Sequence, residues 1–102
     1  MSESVTDNQE EGRYELHVEG DLAGYLEYHV GTDVIALNHT VVLPEFSGAG
    51  HAGNLVTVAL DDARARGLRV LPYCPYVARF IKRHPGYLEL VPEDRRSEFE
   101  LT

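Results

Sequence analysis

VIALNHTVVLPEFSGAGHAGNLVTVALDDARARGLRVLPYC, residues 34 to 74, contains a complete supersecondary unit. Over 34–43 the side chains alternate, with Ile35, Leu37, His39, Val41 and Leu43 on one face and Ala36, Asn38, Thr40 and Val42 on the other. Both faces are largely apolar, which predicts a central strand. Pro44 ends it, because proline brings no N–H to a ladder. From Ala52 the period lengthens: Ala52, Leu55, Val56, Ala59, Leu60 and Ala63 make one helical stripe, and Gly67 stands where a helix stops. LRVLPYC (68–74) then reads as a short buried strand. A helix between two strands predicts a parallel pair in a βαβ unit.

Upstream, RYELHVEG (13–20) and LAGYLEYHV (22–30) are rich in β-branched and aromatic residues and are punctuated by Gly20-Asp21 and Gly31-Thr32-Asp33. With the 34–43 strand they predict an antiparallel meander. Downstream, Pro75 opens a second helix whose stripe is Val77, Phe80, Ile81 and His84, with Arg79, Lys82 and Arg83 on its other side. Pro85-Gly86 breaks this helix. YLELV (87–91) is expected to be a strand, and EFELT (98–102) an edge strand or a frayed end. The fold class is α/β in the α+β sense: a mixed sheet in which a meander is followed by a βαβ unit and a C-terminal helix.

A chain of 102 residues has room for a single core, so residues 13–102 are read as one domain. Residues 1–12 carry Glu3, Asp7, Glu10 and Glu11 with no base among them, and are expected to be a disordered acidic tail. The net charge is −8, and the part after the tail still carries −4, which disfavours broad binding to nucleic acid. Yet Arg64, Arg66, Arg69, Arg79, Lys82 and Arg83 fall within 20 residues, consistent with a local anion site. No apolar run is long enough to span a membrane, and the polar start has no secretory pattern, so no membrane partner and a cytoplasmic setting are expected. Cys74 is the single cysteine, and the five histidines show no ligand spacing, so neither a disulfide framework nor a metal site is expected.

The glycine turn GAGHAG (48–53) has the spacing of a dinucleotide fingerprint. A dinucleotide fold also needs an acidic residue about 20 positions on to hold the ribose. The residue 20 past Gly53 is Tyr73, in an apolar strand, and an antiparallel meander is the wrong lead-in. The physics common to such turns remains: small residues let backbone N–H groups converge, and the positive end of the next helix favours a pyrophosphate.

This order of elements resembles the GNAT superfamily of acyl-CoA-dependent N-acetyltransferases, whose motif Gln/Arg-x-x-Gly-x-Gly/Ala is matched at Gly48 and Gly50. It resembles more closely the minimal GNAT-like subfamily of about 90 residues. That subfamily's short motifs occur here in order as His39-Thr40, Cys74-Pro75-Tyr76-Val77 and Arg83-His84-Pro85-Gly86-Tyr87, a match spanning residues 13 to 91. The resemblance implies an acetyl-CoA-dependent transfer of acetyl to a primary amine, on a small molecule or a peptide. It implies a pyrophosphate cradle at Gly48, Ala49, Gly50, His51, Ala52 and Gly53. It also implies a pantetheine arm along Val41, Val42 and Leu43, and a 3′-phosphate near Arg79, Lys82 and Arg83. The alternative with the same fold is a non-catalytic module that binds CoA or a protein.

For the chemistry, the candidates are His39, Cys74 and Tyr76. His39 is either a base or a histidine satisfied in a core or cleft. Cys74, just before a helix N-terminus, is a nucleophile, an acid or simply a small buried residue. Tyr76 is an alternative acid for the departing thiolate. Two departures from the wider family stand out: Glu45 occupies the leading basic or amide position of the glycine motif, with Ser47 just before Gly48, and Phe80 or Ile81 falls where larger members carry their acidic tyrosine.

Overall fold

The meander and the βαβ unit form one sheet in simple sequence order. The computed structural model describes residues 3–102 and gives strands β1 (Glu3–Asn8), β2 (Arg13–Val18), β3 (Asp21–Val30), β4 (Val34–Val42) and β5 (Arg69–Leu71). Helix α1 (His51–Ala65) joins β4 to β5, and helix α2 (Pro75–Arg83) follows. The strand order is β1-β2-β3-β4-β5; the first four run antiparallel, and β5 pairs parallel to β4 through Val34↔Arg69, Ile35↔Val70 and Ala36↔Leu71. Tyr14, Leu16, Leu26, Ile35 and Leu37 of the sheet share one core with Leu55, Val56, Ala59, Leu60 and Ala63 of α1 and with Val70, Val77 and Ile81. The helical stripe read from the sequence is the face that α1 buries from Leu55 to Ala63, with Ala52 at its start half-buried.

Three expectations need correction. The first concerns the acidic tail. Its first two positions lie outside the described residues, but Glu3–Asn8 form β1, in register with β2 from Glu3↔Val18 to Asn8↔Arg13. Two of its four acids find partners in the fold. Asp7 accepts a hydrogen bond from the Tyr28 hydroxyl and lies 4.0 Å from Arg66, while Glu3 reaches His51 and Asn54.

The second concerns the faces of β4. Glu27 pairs with His39 but Tyr28 pairs with Leu37, so Asn38 is an extra residue, a β-bulge. A bulge shifts the alternation by one. Thr40 and Val42, opposite Leu26 and Gly24, therefore continue the buried face of Ile35 and Leu37, whereas His39 and Val41 turn to the opposite face. The expected grouping of His39 and Val41 with Ile35 and Leu37 does not hold.

The third concerns the C-terminus. YLELV is not a strand: Pro85–Leu90 is a 3₁₀ turn, and Glu93–Phe99, overlapping the start of EFELT, is a second. Leu90, Val91 and Leu101 still reach the core. Backbone carbonyls that a sheet neighbour would bind are taken by arginines instead, Arg64 on Gly86, Arg69 on Glu89 and Arg96 on Val91.

Candidate active site

The site begins where β4 and β5 part. Their pairing stops at Ala36↔Leu71, and the last link is the Cys74 N–H donating to the Leu37 carbonyl at 2.9 Å. Pro72 has no N–H to extend the ladder, and Pro75 starts α2, so the β5 side turns away while β4 runs on beside β3. Peptide groups alternate sides along a strand. The Leu43 N–H donates to the Ala23 carbonyl at 2.8 Å, so Leu43 and, two residues back, Val41 face β3. The peptide groups of Thr40 and Val42 therefore face the gap. Of the expected trio Val41, Val42 and Leu43, only Val42 presents its N–H and C=O there, and Thr40 joins it. Gly24 allows this close approach of β3, because a Cβ on it would lie 2.5 Å from the Val41 carbonyl oxygen.

Cys74 borders the same gap. It is the N-cap of α2, is 5 % exposed, and has its Sγ 3.4 Å from Thr40 Oγ1. Thr40 is the residue that a reading of strand faces misses, since it depends on the bulge; its place beside His39 in the short motif was the available signal. Tyr76 lies in the first turn of α2. A Cβ built on Gly53 would be 3.8 Å from both the Tyr76 hydroxyl and Phe80 Cε2, so α1 and α2 meet at Gly53 and the hydroxyl is directed to the start of α1.

The glycine turn supplies the other end of the site. Gly48 (φ 86°) and Gly50 (φ 79°) are left-handed, which strongly favours glycine, and open space surrounds both. Gly50 is the N-cap of α1 and offers no side chain to the helix amides. Uncapped N–H groups at the positive end of a 15-residue helix suit a phosphate. The Glu3 carboxylate stands at this helix start, 2.6 Å from His51 Nδ1 and 2.8 Å from Asn54 Nδ2.

Comparison with known proteins adds to this geometry. The profile of the family described as GCN5-related N-acetyl-transferase matches residues 13–90. The chain belongs to that family. Protein NATD1 of Bos taurus is 37% identical over 71 residues, 68% of this chain and 63% of its own length, and Protein NATD1 of Homo sapiens is 34% identical over the same span. The chain thus covers a little under two thirds of these relatives. A GCN5-like protein from Staphylococcus aureus, solved by NMR, has the same fold, with a TM-score of 0.67 at 19% identity over 87% of both chains. A ribosomal-protein-alanine N-acetyltransferase from Brucella melitensis biovar Abortus superposes with a TM-score of 0.53 at 21% identity, over 78% of this chain and 60% of its own.

In this N-acetyltransferase fold the other expected residues separate into groups. Arg79 and Lys82 line a cleft of about 300 Å³ with Tyr73, Glu98 and Phe99, on the flank of α2 away from Gly53. Arg83 is seven positions after Tyr76 and so shares its flank, toward α1. Arg79 and Arg83, four positions apart on α2, are neighbours on its surface, so Arg83 stands between the cleft and the α1 side. Ile81 is fully buried and Phe80 stacks on His84 at 4.2 Å, which leaves Tyr76 as the hydroxyl-bearing side chain of α2. His39 is exposed, opposite Glu27. Among the described residues no group of three or more His, Cys, Asp or Glu side chains is placed to hold a metal, and no helix is long and apolar enough to cross a membrane.

Proposed function

We propose that this domain transfers acetyl from acetyl-CoA to a primary amine. The observation that carries the reading is that an uncapped helix start behind Gly48 and Gly50 and a strand edge with free peptide groups at Thr40 and Val42 belong to one βαβ unit. The amides of residues 48–53 would hold the pyrophosphate, with Arg83 on the flank of α2 toward α1. The edge of β4 would bind the pantetheine amides as a neighbouring strand does. Acetyl-CoA, as substrate, supplies the acetyl group activated as a thioester.

The protein's own groups then divide the work. An N–H of Thr40 or Val42 donates to the thioester oxygen as charge builds on it, a contribution of about 3 kcal/mol for one donor in acyl transfer. His39 accepts the proton of the attacking amine. Cys74, held by Thr40, or Tyr76 returns a proton to the departing sulfur. With Sγ buried against Thr40, direct attack by the amine is the simpler route than one through an acylated cysteine.

Thermal unfolding and CoA release test this reading. Acetyl-CoA at about 100 times its Kd should stabilise the fold by about 2.7 kcal/mol, seen as a higher Tm. Adding an amine should release CoA thiol. A Tm shift without release from any amine would make the chain a CoA-binding module, and no shift would remove acetyl-CoA altogether. Intact mass after incubation with acetyl-CoA alone should show no stable adduct; an acetyl adduct lost in Cys74→Ala would establish the covalent route.

A further inference from the structure

The sheet has a second face that no core residue occupies. Along β2 the burial alternates strictly, with Tyr14, Leu16 and Val18 buried and Arg13, Glu15 and His17 on the other side. The register carries this polar side across to Glu27 and Tyr25 of β3 and to His39 and Val41 of β4. Helix α1 packs on the buried side. The polar face therefore borders the β4 edge of the gap from the side opposite the glycine turn.

On this face Glu27 stands between Arg13 and His39. Arg13 is already engaged, since its Nε lies 2.7 Å from Glu15 Oε2 and its guanidinium sits 4.6 Å above the Tyr25 ring. Among the described residues, Glu27 is exposed and has neither an ion pair nor a side-chain hydrogen bond. Directly opposite, His39 occupies a hydrogen-bonded position of the ladder, where paired Cα atoms lie about 5.5 Å apart. One row on, Tyr25 faces Val41, both half-buried, an apolar strip beside the carboxylate.

We propose that this face is the acceptor site and that Glu27 selects cationic amines by binding the acceptor as an ammonium ion, with its carbon chain on Tyr25 and Val41. The assignment rests on the acetyl-transfer reading. Glu27 is a specificity residue; the proton transfer belongs to His39. The nitrogen loses two protons in all: one passes to His39 and then to solvent, freeing the lone pair, and the other ends on the thiol. The C–N bond forms as the C–S bond breaks, with its electron pair leaving on sulfur. An overall charge of −8 draws cations to such a face.

Two measurements on the full chain test it. The first compares n-butylamine, a cation at pH 8, with 4-methoxyaniline, uncharged there, as acceptors. Glu27→Gln should lower the ratio of kcat/KM for butylamine over methoxyaniline about tenfold, mainly through KM, the size of one charge-assisted hydrogen bond. An unchanged ratio overturns the proposal. The second follows backbone and His resonances by NMR while n-butylammonium is added without acetyl-CoA. Shifts centred on Tyr25, Glu27, His39 and Val41 that vanish in Glu27→Gln support the site even if no acetyl is transferred, in which case only the acetyl-transfer reading falls. Shifts centred elsewhere overturn the site whatever the turnover.

Discussion

At Val42 a single N–H separates a structural strand from a reactive one. By the ladder alternation this N–H bonds nothing in the sheet, so removing the donor leaves the strand pairing in place. Val42→Pro removes that donor, and with it the Val42 isopropyl group beside Gly24 and the freedom of φ; proline is tolerated on a strand edge that faces away from its neighbour. The expected outcome is a Tm within a few degrees of wild type and turnover reduced about 10²-fold if Val42 is the thioester donor. Gly24 gives the converse case. A methyl group there would lie 2.5 Å from the Val41 oxygen and 3.2 Å from Val42 Cα, both backbone atoms, so the strands themselves must separate. Gly24→Ala should cost about 1–3 kcal/mol in urea unfolding, in the range of overpacking, and should lower turnover by moving the β4 edge.

Elements with their own period were legible in the sequence, and elements that depend on partners were not. The stripe from Ala52 to Ala63 specifies α1, and alternation with turn residues specifies β2, β3 and β4. β1 was hidden because ESVTDN has one apolar residue, Val5, and is tied down by contacts far along the chain: Asp7 with Tyr28 and Glu3 with His51. The bulge at Asn38 was hidden too, as nothing local in NHTVV marks the slip, and with it went the partner of Cys74. The glycine turn was legible as a helix start but not the acid beside it. That acid makes a prediction at the scale of β1. Removing its charge with Glu3→Gln should tighten acetyl-CoA binding about two- to fivefold, the range of a single charge at a helix terminus. Titration calorimetry would measure it, and unchanged or weaker binding would place the pyrophosphate away from α1.

Across the whole molecule, one polar network ties the sheet to α1. The Tyr14 hydroxyl donates to Asp62 of α1 at 2.6 Å, and the Tyr28 hydroxyl donates to Asp7 of β1. Their rings lie 5.1 Å apart, and Arg66 reaches Asp62 at 3.3 Å. Burial first, and then the hydrogen bond to a carboxylate, raises both phenols: Tyr28 to about 12, and Tyr14 further. An unfolded phenol titrates near pH 10. Because the folded values are higher, this stabilisation is complete below about pH 10 and is lost as pH rises through about 12, where each phenolate would face a carboxylate. Lys82 is the only lysine and arginines keep their charge in this range, so tyrosines set the alkaline limit, with Tyr87, raised by its hydrogen bond to Asp61, as a smaller third contributor. Urea midpoints should therefore be nearly flat from pH 7 to about 9 and fall between about 10 and 12. The double variant Tyr14→Phe with Tyr28→Phe should be less stable at pH 8, through loss of both hydrogen bonds, but should show a much shallower alkaline fall. If the fall is as steep in that variant as in wild type, the alkaline limit lies with other groups.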